Sequence, residues 1–313
     1  MEWYEYLIIS VVIFLVFITL FTGFKIAQSI FHPTRHSLLE TRLTEMEKTP
    51  DLLRLYDQWE KIEYQIETRH GYPLKAYYLP IDHHPNSSVD RFVVIAHGYT
   101  YTHHGGIKYA WIMKQLGFNV ILYDERFHGE SGGKNCSLGF YEQKDLEDVI
   151  TDTFMRFGPD LFMGTYGESM GAATVILEQA NDDRIKFAIA DCSFSDLETL
   201  VTYLVKRKIG FPKWPFVNLA NFFFKLATKV DFKQISPKEA VKKSKIPILF
   251  LHGTADEFIP SSHSQVLFDA CNEPKKLFLS PNPAKHAESF KMNRETYTEI
   301  VLNFVESILK SYY

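Results

Sequence analysis

The stretch LFMGTYGESMGAATVILE, residues 161–178, decides the fold. An apolar run of strand character leads into GESMG, residues 167–171, and a second apolar run of helical character follows. A G-x-S-x-G pattern between a strand and a helix is typical of a nucleophile elbow, a turn so tight that side chains beside the serine would collide. We therefore predict Ser169 as the nucleophile and Gly167 and Gly171 as the elbow glycines. The alternative is a chance match in a glycine-containing turn.

A serine hydroxyl needs a general base, and the base needs an acid that orients it. LFLHGTADEFIP places Asp256 just beyond a predicted strand, and LSPNPAKHAESF places His286 just beyond the next one. The carboxyl ends of parallel strands lie at one edge of a sheet, so all three side chains should meet there. We predict Ser169, His286 and Asp256 as a catalytic triad. Asp191, near the end of the preceding strand, is the alternative acid.

Two backbone N–H groups should stabilise the oxyanion that forms during acyl transfer. The residue after the nucleophile, Met170, supplies one, and we assign the other to Tyr99, in the loop after the strand RFVVIAHG. His97 and the pair His103 and His104 are alternative metal ligands. No acidic or cysteine partner lies at ligand spacing from them, so we expect no metal site.

Composition indicates one large domain with an appendage, because 46% of the 313 residues are hydrophobic and 23% are charged. The net charge of −4 gives no indication of nucleic-acid binding. Cys136, Cys192 and Cys271 are odd in number, far apart and not in a CxxC pair. They argue against a disulfide framework or a zinc site and favour a reducing compartment.

The amino-terminal segment has a different character. Residues 7–24, LIISVVIFLVFITLFTGF, form 18 residues without a charge, which is at the lower end of what spans a bilayer as a helix. A cleaved signal peptide is the alternative, but no A-x-A-like site follows the segment. Residues 1–36 are therefore predicted to be a membrane anchor.

The charges that flank the apolar segment are Glu2 and Glu5 before it, and Lys25, Arg35 and Arg42 after it. By the positive-inside tendency, the catalytic domain should lie on the cytoplasmic side.

Beyond the anchor, the pattern of residues 37–60 predicts two short helices divided by Pro50. We expect this segment to be a juxtamembrane connector. An antiparallel hairpin is predicted next, because two strand-like runs, KIEYQIET and PLKAYYLP, flank the turn signal His70-Gly71. Apolar runs then alternate with helix-like stretches, among them residues 107–116, 141–157 and 170–179. The pattern predicts a mainly parallel sheet covered by helices on both faces, within a domain of residues 61–313. The six apolar runs are RFVVIAHG, NVILYDE, DLFMGTYG, IKFAIADCS, IPILFLHG and KKLFLSP.

One block interrupts this alternation. Residues 195–245 have no obvious strand and are rich in aromatic residues, as expected of a lid inserted beside an active site. The block contains 11 Lys or Arg against 4 Asp or Glu, a charge of +7, which leaves about −11 for the rest of the chain. On one interpretation the aromatic residues pack the lid onto the core and the lysines are its solvated face. On the other, the basic face contacts an anionic membrane surface.

From about Lys61 to the carboxyl end, the chain resembles the α/β-hydrolase superfamily, specifically bacterial serine hydrolases of the esterase, lipase and proline-iminopeptidase-like kind. The resemblance implies an eight-stranded sheet, acyl-enzyme chemistry and no cofactor. Besides GESMG, it depends on AHGY (residues 96–99), YDERFHGESGG (123–133), HGTADEFIP (252–260) and KHAESF (285–290).

The sequence departs from the family pattern at two places. Phe127 stands where the D-x-R-x-H-G turn usually has a small residue, and NPAKH lacks the glycine that often precedes the catalytic histidine. Both departures bear on the shape of the pocket. Within the turn, Asp124, Arg126 and His128 are expected to fix the loop beside the site.

Three functions remain open. The first is a membrane-anchored, lipase-like hydrolase of carboxylic esters with an apolar, lipid-derived acyl group, for which the aromatic lid would be the pocket wall. The second is a peptidase that releases an amino-terminal residue and needs an acidic group to capture the substrate amine. The third is a non-catalytic scaffold. Such relatives typically lose a triad member, and here all three are present.

Overall fold

The computed structural model describes residues 2–81, 89–272 and 274–312. The strands are β1 (Ile62–Glu67), β2 (Pro73–Leu79), β3 (Asp90–Ala96), β4 (Asn119–Tyr123), β5 (Leu161–Glu168), β6 (Ile185–Asp191), β7 (Ile248–His252) and β8 (Lys275–Leu279). The α-helices are α1 (Trp3–Phe31), α2 (Leu38–Lys48), α3 (Pro50–Gln58), α4 (Ile107–Gln115), α5 (Glu142–Phe157), α6 (Met170–Gln179), α7 (Leu197–Ile209), α8 (Lys213–Thr228), α9 (Pro237–Val241), α10 (Ser262–Ala270), α11 (Ser289–Met292) and α12 (Arg294–Tyr312).

All eight strands form one sheet in the order β1-β2-β4-β3-β5-β6-β7-β8. β2 is antiparallel to both of its neighbours, and every pair from β4 to β8 is parallel. Each apolar run predicted as a strand forms one, so the predicted fold class is confirmed. The hairpin between β1 and β2 is confirmed as well, with Gly71 at φ 76° in the turn.

The central strands are buried along their whole length because helices cover both faces of the sheet. On one face, α3, α4 and α12 pack over the strands, with Leu53, Ile112 and Val301 in their shared core. On the other face, α6 and the helices between β6 and β7 form a second core with Ala173, Val201 and Phe224. The parallel strands therefore present all their carboxyl ends at one edge.

The segment predicted as a connector between anchor and domain packs directly onto the domain. Leu52, Leu53 and Tyr56 of α3 are buried in the core. In α2, the Thr41 hydroxyl lies 2.7 Å from the Thr102 hydroxyl, and Glu45 accepts a hydrogen bond of 2.8 Å from the Tyr101 hydroxyl. These two helices hold the chain that follows α1 against the loop after β3.

Among the described residues, α1 is the one helix long and apolar enough to cross a membrane. Most of it is exposed, whereas its last turns pack against α8, where Gly23, Ile26, Ala27 and Ile30 are buried. The rings of Phe24 and Phe223 meet edge to face, with centroids 5.6 Å apart. The amino-terminal helix is thus continuous with the folded domain through its last two to three turns.

We expect Gly23→Leu to disturb this contact. A β-carbon at position 23 would lie 2.4 Å from the Leu219 β-carbon, so α8 would have to move. Overpacking of this kind typically costs about 1–3 kcal/mol of unfolding free energy. The thermal unfolding midpoint in mild detergent should fall by several degrees, whereas that of Lys25→Leu, at an exposed position two residues on, should not. Equal midpoints for the two variants would contradict the contact.

Candidate active site

Ser169 lies at a strained turn between β5 and α6. Its backbone has φ 57° and ψ −113°, a combination that side chains rarely adopt. A β-carbon at Gly167 would lie 2.1 Å from the Gly171 carbonyl oxygen, and one at Gly171 would lie 2.2 Å from the Ala96 carbonyl oxygen. Both positions therefore exclude any side chain, which is the close approach that the sequence pattern predicts.

The structure brings together the three residues that the sequence placed far apart. His286 Nε2 lies 2.9 Å from Ser169 Oγ, and His286 Nδ1 lies 2.7 Å from Asp256 Oδ2. Because a carboxylate only accepts, Nδ1 carries the proton and Nε2 is left as an acceptor for the serine hydroxyl. The arrangement can take a proton from Ser169 and hold the resulting imidazolium against a carboxylate.

Asp256 is held in position by four hydrogen bonds. Its Oδ1 accepts from the backbone N–H groups of Phe258 and Ile259, at 2.9 and 2.8 Å. Its Oδ2 accepts from His252 Nε2 at 3.2 Å in addition to His286. Burial alone would raise the pKa of this carboxyl, but the hydrogen bonds from the two histidines hold it well below its usual range. Asp256 is therefore ionised near neutral pH.

His252 is a positioning residue that the sequence reasoning missed. Its Nδ1 lies 2.6 Å from the Ser264 hydroxyl, and its Nε2 lies between the Ile259 carbonyl oxygen and Asp256. Both neighbours of Nε2 are acceptors, so Nε2 carries the hydrogen. The signal was available in HGTAD, where a histidine ends β7 four residues before the acid.

Asp191, the alternative acid, is hydrogen-bonded to two tyrosines, whereas His286 Nδ1 pairs with Asp256. Its Oδ2 accepts hydrogen bonds from the hydroxyls of Tyr109 and Tyr297, at 3.0 and 2.8 Å. Burial, together with the nearby charge of Glu168, raises the pKa of Asp191 to about 6. Its contribution to the elbow is its backbone carbonyl, which accepts from the Ser169 N–H at 2.8 Å.

Tyr99 and Met170, whose amides the sequence analysis assigns to the oxyanion hole, line the same cavity as Ser169. The next amide in the loop, that of Thr100, donates to His128 Nε2 at 3.1 Å, and His128 Nδ1 donates to the Arg126 carbonyl. Burial lowers the pKa of His128 to about 3, so this ring is neutral. It holds the loop that carries the Tyr99 amide.

The remaining histidines near the loop also make local hydrogen bonds. His97 Nε2 accepts from the Glu125 N–H at 2.9 Å, and His103 Nδ1 lies 2.9 Å from Asp124 Oδ1. Asp124 accepts from the Glu130 N–H as well, at 3.0 Å. These contacts fix the turn after β4, as the sequence analysis expected of Asp124.

Cys192 is a second neighbour that the sequence did not reveal. Its sulfur and the ligand atoms of Asp256 and His286 all lie within 4.8 Å of one another, the geometry of a three-residue metal cluster. Burial raises the pKa of the Cys192 thiol well above its usual range. Asp256 and His286 are also already paired with each other and with Ser169.

A cavity of about 300 Å³ opens onto Ser169. One wall is a stripe along α7 that includes Leu197, Leu200, Val201, Leu204 and Val205, and it continues to Lys208 and Ile209. Since a helix rises 1.5 Å per residue, the stripe is roughly 18 Å long. The cavity therefore has a long apolar wall beside the serine.

The fold and the strand–serine–helix elbow are those of an α/β hydrolase. A profile of the family described as "Serine aminopeptidase, S33" (Hydrolase_4) matches residues 87–236, a range that includes Ser169 and ends before Asp256. YqkD of Bacillus subtilis is 34% identical over 260 residues, covering 82% of this chain and 83% of that protein. YfhR of Escherichia coli K12 is 23% identical over 81% of this chain and 83% of its own length. The chain belongs to the α/β-hydrolase superfamily and is a relative of these two uncharacterised proteins.

Solved structures agree on the fold. The Pyrococcus furiosus esterase Pf2001 superposes with a TM-score of 0.63 at 20% identity, covering 82% of this chain and 94% of its own. Est1E of Butyrivibrio proteoclasticus, solved with ferulic acid, gives a TM-score of 0.62 at 20% identity over 79% of this chain and 99% of its own. At these identities the likeness establishes the fold alone.

We expect Ser169→Ala to abolish labelling by an active-site phosphonate without unfolding the domain, because the hydroxyl is the atom that would be phosphonylated. His286→Ala and Asp256→Asn should each lower turnover by orders of magnitude, since one removes the base and the other its ionised partner. Labelling and turnover are measured for each variant, and its thermal unfolding midpoint shows whether it is folded. A Ser169→Ala protein that still labels would refute the assignment, and full activity in Asp256→Asn would require another acid.

Proposed function

We propose that this protein is a serine hydrolase of carboxylic esters with an apolar acyl group, held at the membrane by its amino-terminal helix. The observation that carries the proposal is the chemistry of the cavity at Ser169. Its lining is apolar along α7 and includes Phe194, Phe258 and Ile259 from the loops around it. Such a surface accepts an acyl chain.

The same lining argues against release of an amino-terminal residue. Among the described residues that line the cavity, Lys208 is charged and none is acidic. A free α-amine is cationic near neutral pH, so its capture needs a carboxylate, and a lysine at the wall would repel it. An uncharged ester with an apolar acyl group has neither difficulty.

In the proposed reaction, Ser169 Oγ attacks the ester carbonyl carbon while its proton moves to His286 Nε2. The oxyanion is stabilised by the N–H groups of Tyr99 and Met170. Collapse breaks the bond to the alcohol, which takes the proton from His286, and leaves the acyl group on Ser169. A water molecule, deprotonated by His286, then attacks the acyl carbon. Collapse breaks the bond to Ser169 Oγ, which takes the proton back from His286, and the carboxylic acid leaves. Asp256 stabilises the imidazolium at each step. No cofactor is needed.

The membrane location is supported by α1, whose exposed side chains along the charge-free run are apolar apart from Ser10. At 1.5 Å per residue, the 18 residues 7–24 are roughly 27 Å long, close to a hydrocarbon core of about 30 Å. The charges favour a cytoplasmic catalytic domain, because acidic residues precede the run and Lys25 follows it directly. The partners are then a small-molecule ester and the membrane, and not nucleic acid.

The full-length protein in mild detergent is expected to hydrolyse p-nitrophenyl esters and to prefer medium or long acyl chains to acetate, because each further methylene gains apolar contact in the cavity. Aminoacyl p-nitroanilides should be poor substrates. Steady-state kcat/KM for both series gives the comparison, with Ser169→Ala as the control. Preference for the anilides would support the peptidase alternative. Absence of both turnover and phosphonate labelling would support the scaffold.

Salt washing of membranes and protease accessibility test whether the catalytic domain is cytoplasmic. The protein should remain in the membrane after high-salt washing, and protease added outside intact spheroplasts should leave it whole. Protease added to inverted vesicles should degrade the domain. Degradation in intact spheroplasts would reverse the orientation, and release of a shortened soluble chain would identify a cleaved signal peptide.

A further inference from the structure

We infer that the membrane anchor is itself part of the substrate site. The last two turns of α1 form one wall of the acyl cavity, so the substrate is a membrane-borne acyl ester whose chain enters from the bilayer beside α1. This inference rests on the proposed function and adds the substrate class and its route of entry.

The cavity lining carries the inference directly. Ile26, Ser29 and Ile30 of α1 line the same space as Ser169 and the stripe on α7. Ile26 and Ile30 are buried, whereas Ser29 is exposed. Ile209 and Lys208, at the far end of α7, line the cavity and are exposed too. The mouth therefore lies where α1 and the end of α7 meet the surface.

The position of this wall along α1 places it at the membrane boundary. The charge-free run ends at Phe24, and Ile30 follows six residues later, which is roughly 9 Å along a helix. The interfacial region on each side of a bilayer is about 5–8 Å thick. A helix that spans with residues 7–24 thus holds Ile26 within the headgroup region and Ile30 at its outer edge.

The helix α8, which packs against the last turns of α1, also exposes apolar side chains. Phe222 and Leu226 of α8 are each 54% exposed and lie one turn apart, and Trp214 is 76% exposed. Large apolar side chains exposed together are costly in water and favourable in a membrane interface. Exposed cations lie near the end of α1, on α7, and on or just after α8, as in surfaces that contact anionic lipids. These cations are Lys25, Lys206, Arg207, Lys208, Lys213, Lys225 and Lys229.

The end of α1 is also hydrogen-bonded to the loop after β3, which contains Tyr99 and Thr100. The Tyr99 hydroxyl donates hydrogen bonds to the carbonyl oxygens of Ser29 and Ile30, and the amide of this same residue is assigned to the oxyanion hole. Just after α1, the His36 N–H donates to the Thr100 carbonyl at 3.0 Å. The guanidinium of Arg35 lies 4.0 Å from the centre of the Phe127 ring. Phe127, the bulky residue in a turn that usually has a small one, is thereby part of the anchor contact.

The test compares how fast two alkyl phosphonates label the full-length protein in mild detergent. Methyl and octyl p-nitrophenyl phosphonates both form a bond from Ser169 Oγ to phosphorus and expel p-nitrophenolate. Ser29→Trp fills the mouth at an exposed position, and Ile30→Trp fills the cavity behind it. Gln28→Trp is the matched control, because Gln28 lies on the same turn and does not line the cavity. Unfolding midpoints verify that each variant is folded.

We expect the octyl-to-methyl rate ratio to fall at least about tenfold in Ser29→Trp and Ile30→Trp and to stay within about twofold of wild type in Gln28→Trp, since small changes in an apolar pocket alter rates by this order. An unchanged ratio in both cavity variants overturns the inference, and so does an equal fall in Gln28→Trp.

The outcome separates the two proposals. Ester turnover that depends on Ser169, with an unchanged ratio in the variants, leaves the proposed function standing and removes the role of α1. The expected fall in the ratio, without ester turnover, supports the α1 wall and overturns the ester assignment. No labelling of the wild-type protein by either phosphonate overturns both.

Discussion

The close approach of α6 to the carboxyl end of β3 is the constraint on which the site depends. Gly171 faces the Ala96 carbonyl and Gly167 faces Gly171 itself, so this crossing exists only because neither residue has a side chain. The crossing forces Ser169 into its strained conformation and places it opposite the end of β7, from which Asp256 and His252 extend. The strain is offset by the packing of α6, which is buried at every position.

Beneath the elbow, a buried polar network holds the strand ends in register. Lys108 pairs with Glu168 at 2.5 Å, and the Tyr109 hydroxyl joins Glu168 to Asp191. Removal of one partner from a buried ion pair typically costs about 3–5 kcal/mol, because the other charge is left uncompensated. Glu168, the residue before Ser169, is thereby held in place, and the hydrogen bond between Thr100 and His128 holds the loop after β3.

The sequence predicted the sheet and the spatial meeting of Ser169, Asp256 and His286 because those features depend on local patterns: an apolar run, a turn, and one functional residue at a strand end. It did not predict the wall formed by Ile26 and Ile30, since hydropathy alone describes α1 as a free anchor. The Arg35 and Phe127 contact joins residues 92 positions apart, and no pattern within either segment identifies its partner. From the sequence, Phe127 could be described only as a departure from the family motif.

The most direct test of the account is a photo-cross-linking experiment on the full-length protein. An octyl phosphonate with a diazirine at the end of its chain is allowed to label the serine, the sample is irradiated, and tryptic peptides are identified by mass spectrometry. The account predicts phosphonylation of Ser169 and a cross-link to residues 26–35, the tryptic peptide at the end of α1, or to the α7 stripe. Labelling of another residue, or cross-links confined to segments outside α1 and α7, would contradict it.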